Sequence, residues 1–193
     1  MNRRTKIALL ILLATVAIMG YYALRLKRRA EQLPVRAADT RPVEPPVSGK
    51  AEQVTLYLAD DNDGMLHRQV TSIALPDDPA ERARQVLRAL ISAYLEKSSN
   101  HPLATGADVE AVFLVKPNIA VVDTNVEFAD GHRSGILVEE LTVASVARTL
   151  AANVQGIGRV KILVQGKERE TLAGHADLTS FYDLSGESWP VAQ

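Results

Sequence analysis

Chemistry in this chain would have to come from few residues. There are four histidines, His67, His101, His132 and His175, and no cysteine. Without cysteine there are no disulfides, no thiolate metal sites and no cysteine nucleophile. The histidines stand far apart, none with a second ligand at helical or strand spacing, so no zinc site and no cofactor are predicted. Gly131-His-Arg-Ser-Gly135 resembles a nucleophile elbow, but that turn needs serine in the third place, between a strand and a helix. Here serine is fourth and follows a loop, so Ser134 reads as a helix N-cap. Asp60-Asp-Asn-Asp-Gly64 invites calcium. With Gly64 at the sixth place of an EF-hand loop, Ala59 falls at the first and Val70 at the twelfth, and neither is a ligand. A solvated turn is the simpler reading. Gly166-Lys167 lacks the glycine spacing and following hydroxyl of a phosphate loop.

Two constellations remain. His175 and Asp177, two apart on an extended chain, would face one side, and Glu140 is a third polar group for a ligand or a structural hydrogen bond. The second constellation is Thr142, Ser145, Thr149 and Asn153, a stripe of small polar residues on one helix. An ordinary exposed face carries Lys and Glu. A small, weakly charged face accepts another surface closely, as interface cores do.

The helix that carries this stripe spans Gly135–Val154, with apolar residues at Ile136, Val143, Ala147, Leu150, Ala151 and Val154. Gly156 and Gly158 stop it, and Val160, Ile162 and Val164 alternate in the strand that follows. Upstream, Val54, Leu56 and Leu58 mark a first strand, Leu66–Leu75 a second, and the acidic turn joins them. Asp77 or Asp78 caps a helix whose apolar stripe is Ala83, Val86, Leu87, Leu90, Ile91 and Tyr94. Val109, Ala111, Phe113 and Val115 alternate in a third strand, and Ile119–Asp123 returns beside it. Residues 125–134 read as a polar loop, and 167–185 as turns with room for a short closing strand. The order ββαββαβ predicts an α+β domain with two helices on one face of a mixed, mainly antiparallel sheet.

At its N-terminus, residues 1–6 are basic and Ile7–Leu26 form an apolar run uncharged until Arg25, about the length of a membrane-spanning helix. No small-residue cleavage site follows, so an uncleaved, single-pass signal anchor is predicted. Residues 27–51, with Pro34, Pro42, Pro45 and Pro46, form a linker, 52–184 the domain, and 185–193 a tail. A net charge of −1 offers no field for nucleic acid, and 5% aromatic content argues against stacking platforms.

The helix with Glu140, Thr142, Val143 and Thr149-Leu150, the strand ending at Gly166, and the closing Leu172-Ala-Gly-His175-Ala-Asp177-Leu178 together resemble the GerMN domain. That domain occurs in spore germination and sporulation proteins and in bacterial envelope proteins. The resemblance implies an α/β sandwich like the ring-building modules of secretion and sporulation complexes. Positive residues flank the apolar run about equally, so charge does not orient it, and the resemblance implies a domain outside the cytoplasmic membrane. The expected function is a non-catalytic interaction or assembly module that forms a homo-oligomer or binds other envelope proteins. The alternative is a cell-wall ligand-binding or hydrolase-like domain built on Glu140, His175 and Asp177.

Overall fold

A computed structural model describes residues 49–185 and 191–192. The predicted anchor, most of the linker and Trp189 lie outside the described residues. Among the described residues, no helix is long and apolar enough to cross a membrane.

In chain order the elements are β1 (Lys50–Asp60), β2 (Met65–Leu75), α1 (Pro79–Leu95), β3 (Val109–Val115), β4 (Ile119–Thr124), α2 (Val126–Asp130), α3 (Ile136–Asn153), β5 (Arg159–Val164) and β6 (Tyr182–Asp183). The mixed α+β character agrees with the sequence, but the strands fall into two sheets, not one. β1 and β2 form a two-stranded antiparallel sheet, and the other sheet runs β3-β4-β5-β6. In the second sheet only β4 and β5 are parallel, because α3 carries the chain across between them. The first strand starts at Lys50, inside the stretch assigned to the linker.

The acidic turn closes the β1–β2 hairpin as its chemistry demands. Asp60 accepts the Asn62 amide, Asp63 accepts the Met65 amide, and Gly64 takes φ +71°. Asp78 caps α1 by accepting the amides of Ala80 and Glu81, with Pro79 at the first helical position. All six apolar residues predicted for the stripe of α1 are buried, and they join β1, β4, β5 and α3 in one core.

β3 departs from the expected alternation. Val109 and Val112 are buried, whereas Phe113 and Val115 are exposed. A register shift between Val109 and Ala111 inserts one residue, and with a two-residue period one insertion exchanges the faces of everything beyond it. Residues 125–134 also differ from the predicted loop. Asn125 accepts the amide of Phe128 and starts the short helix α2, which buries Phe128 and Ala129.

The closing segment is more than a cover. Leu172 and Leu178 are fully buried, and hydrogen bonds from the Leu172 amide to Ala176 O and the Leu178 amide to Glu170 O fold it into a tight loop. β6 then pairs with β5. The tail reaches β2, where the Ala192 amide donates to Leu66 O at 3.0 Å.

Candidate functional site

Helix α3 positions the polar groups of the molecule. It is buried on most sides, and three of the four stripe residues are inaccessible: Thr142, Ser145 and Thr149 expose 1% or less. The stripe faces the open edge of β1. The Thr55 amide donates to Asn153 Oδ1 at 3.0 Å, and Asn153 Nδ2 donates back to Thr55 O at 2.7 Å. The Tyr57 amide donates to Thr149 Oγ1 at 3.0 Å, and Ser145 donates to Tyr57 O. The Ala59 amide donates to Tyr94 Oη at 2.8 Å, and burial of that phenol pushes its pKa up to about 12, keeping it neutral. The spacing explains the fit: two strand residues rise about 6.6 Å, and four helical residues rise about 6.0 Å. Small side chains at every fourth position can therefore serve every second backbone group of a strand edge. The reading of this stripe as an outward interaction face is corrected: a buried edge needs its hydrogen bonds satisfied, and the stripe does that.

Thr142 serves a different cluster. His101, fully buried, sits between Asp61 and Thr142, with Nδ1 2.6 Å from Asp61 Oδ1 and Nε2 2.7 Å from Thr142 Oγ1. His132 approaches the same hydroxyl with Nε2 at 2.7 Å, and its Nδ1 lies 2.7 Å from Arg133 O. Arg133 pairs with Asp61. Burial pushes both imidazoles below the ordinary histidine range, against the carboxylate of Asp61 at His101 and the carbonyl of Arg133 at His132, which pull upward. A carboxylate on Nδ1 and a hydroxyl on Nε2 is a proton-relay arrangement. Here the hydroxyl is buried and His132 takes its other side, so no substrate carbonyl can approach it. Sequence spacing missed this cluster because Asp61, His101 and Thr142 are each about forty residues from the next. The one local signal was a threonine in the stripe.

Glu139, not Glu140, is the carboxylate that the fold engages at the start of α3. Glu140 is exposed, while Glu139 is fully buried. Glu139 Oε2 accepts the amides of Ala173, His175 and Ala176 at 2.9 to 3.0 Å. Oε1 accepts the Gly135 amide at 3.1 Å and faces His175 Nδ1 at 2.9 Å. Burial alone would raise its pKa. The hydrogen bonds from the His175 ring and from the amides of Ala173, His175 and Gly135 outweigh burial and hold it at about 2.

Of the polar trio expected from sequence, His175 engages Glu139 and Glu140 is exposed. Asp177 turns back on its own loop and accepts the Thr179 amide and hydroxyl, which hold its pKa at about 2. Ser134 does not cap α3; Gly135 occupies that position. Ser134 Oγ instead lies 3.3 Å from His175 Nδ1, the nitrogen that Glu139 already engages. A relay needs the acid and the hydroxyl on opposite ring nitrogens, so Ser134, His175 and Glu139 make a clamp on the closing loop. At the hairpin tip, Asp60, Asp63 and His67 bring polar atoms within 4.8 Å of one another, each already paired: Asp63 with His67 at 2.7 Å, and Asp60 with Asn62 and Asn100.

Comparisons with known proteins agree with this fold. The tandem GerMN domains of the sporulation protein GerM from Bacillus subtilis align at 25% identity and a TM-score of 0.50, over 70% of this chain and 46% of theirs. The first GerMN domain of the same protein aligns at 22% identity and a TM-score of 0.47, over 74% of this chain and 98% of its own. A Clostridium perfringens protein provisionally described as a lipoprotein aligns at 17% identity and a TM-score of 0.48, over 75% and 94%. No curated protein matches in sequence. The model of the Germane family, described as sporulation and spore germination, matches residues 55–170, more than half of the chain. The chain therefore belongs to the Germane family and carries a GerMN domain.

Proposed function

We propose that this protein is a single-pass membrane protein whose GerMN domain lies outside the cytoplasmic membrane and works as a non-catalytic assembly module. It packs against like domains or other envelope proteins, in the manner of ring-building modules, in sporulation, germination or organisation of the cell envelope. The observation that carries this reading is the family match over residues 55–170. It is supported by the apolar run Ile7–Leu26 with its basic flanks and proline-rich sequel. It is supported also by where the polar groups go. Glu139 and Thr142 are occupied inside the fold, His175 engages Glu139, and Asp177 is held by its own loop.

The test uses the full chain in intact cells. Membrane fractionation should recover it with the membrane, and removal of residues 7–26 should release it. A cysteine placed at Phe113, exposed on β3, should react with a membrane-impermeant thiol reagent before lysis. A soluble full-length chain, or a cysteine that reacts only after lysis, would overturn the localisation on which the assembly role rests.

A further inference from the structure

Each contact in the chain Asp61–His101–Thr142–His132–Arg133 needs one hydrogen between its two heavy atoms. Four contacts lie at 2.6 to 2.7 Å: His101 Nδ1 to Asp61, His101 Nε2 to Thr142, His132 Nε2 to Thr142, and His132 Nδ1 to Arg133 O. A neutral imidazole carries one N–H and threonine one O–H. Two neutral imidazoles and one hydroxyl supply three hydrogens for four contacts. The outer partners locate the shortage. An ionised carboxylate and a backbone carbonyl only accept, so both Nδ1 atoms must donate. Both Nε2 atoms then reach Thr142 Oγ1 as lone pairs, and its single hydrogen can meet one of them. Val138 O, at 3.1 Å, competes for that same hydrogen.

We propose that the His101–Thr142–His132 bridge is a binding site for one proton, and that the arrangement in the structure is its loaded form. In that form His101 is an imidazolium donating to Asp61 and to Thr142. Thr142 donates to His132 Nε2, and His132 Nδ1–H donates to Arg133 O. Each of these four contacts then holds one hydrogen, and the longer Thr142–Val138 O contact holds none.

The proton belongs on His101 because of what faces each ring. His101 faces the Asp61 carboxylate directly, with Asp60 favouring and Arg133 opposing its charge, and Tyr94 of α1 meets it edge-on as a neutral ring. His132 Nδ1 faces only a carbonyl. Glu139 of α3 favours a charge there, Arg133 and His101 oppose it, and Phe128 packs beside it. The ring centroids are 6.2 Å apart, so a second buried cation would repel the first. The site takes one proton and not two. Burial shifts loading to the acid side of ordinary histidine titration. Unloading leaves two lone pairs facing each other at Thr142, and one of its two contacts opens. His132 stands on the loop that carries Arg133 and Ser134 into α3, so unloading loosens the buried bridge at Thr142, while the Arg133–Asp61 pair still ties that loop to the hairpin turn.

The test is NMR of the histidine ring nitrogens in the full chain, titrated from neutral to acid pH, with Asp61→Asn and Thr142→Val beside the wild type. The expected result is that on acidification His101 acquires protons on both nitrogens while His132 keeps the neutral Nδ1–H form. In Asp61→Asn the His101 midpoint moves to lower pH. In Thr142→Val the His101 midpoint also falls, and the influence of each histidine on the other's ring signals weakens. The inference is overturned if both histidines take up protons together, or if both stay neutral until acid unfolds the chain. It is overturned also if a folded Thr142→Val leaves both titrations unchanged. Should neither variant fold, the wild-type titration decides between these outcomes.

Discussion

Glu139 is the residue on which the closing loop depends. Four amides and one imidazole turn toward a carboxylate that no water reaches. Glu139→Ala strands several donors, and a buried donor without a partner costs about 1–3 kcal/mol. We therefore expect Glu139→Ala to lower the urea unfolding free energy by about 3 kcal/mol, and Glu140→Ala, on the exposed side, to change it by less than about 0.5 kcal/mol. The pH dependence follows from the same contacts. The folded carboxyl titrates at about 2 against an ordinary value near 4.5, so its contribution is full above 4.5 and is lost as pH falls toward 2. Glu139→Gln should flatten the acid limb of stability over that window. Glu139 and Glu140 both sit in the first turns of α3, where the helix dipole favours carboxylates, so local sequence does not separate them. What separates them is the docking of residues 172–178, a long-range event with no local signature.

Among elements, the pairing of α3 with β1 replaces a missing neighbour strand. A two-stranded sheet has an edge on each side, and buried edge amides need partners. The expected outcome for Thr149→Val, which keeps the shape and removes the acceptor, is a loss of about 1–3 kcal/mol. Amide exchange at Tyr57 should accelerate selectively, and Val109 on the second sheet should be unaffected. Uniform acceleration at both sites would argue against an edge role. The stripe itself was legible in the sequence, as were the buried face of α1, the hairpin turn and the α3–β5 unit, because each depends on local period and turn chemistry. Its destination was not, since a small polar face suits a neighbouring protein and a strand edge of the same chain equally well. The inversion of Phe113 and Val115 was hidden for another reason. One bulged residue reverses the pattern without changing composition.

For the molecule as a whole, His101, His132 and Glu139 act on stability with one sign. The pKa of each histidine lies below its ordinary value near 6.5 in the folded state, so the fold takes up a proton at this pair only at lower pH than the unfolded chain does. Their contribution is present above that value and declines as pH falls through it, and the loss from Glu139 follows at lower pH. Thermal unfolding between pH 7 and pH 4 should show a falling midpoint, with the first part of the fall diminished in His101→Gln. The proposed assembly role also belongs to the scale of the whole molecule. Its most direct test exploits the absence of cysteine. Single cysteines at Phe113 on β3, Ile136 on α3 and Phe181 just before β6, all exposed, would be cross-linked in intact cells. Ser145, fully buried, serves as the unreactive control. An assembly module gives a discrete cross-linked dimer, ladder or hetero-complex from at least one exposed position and none from Ser145. Exposed cysteines that all react with an impermeant reagent yet leave the protein monomeric and without a partner would contradict the account.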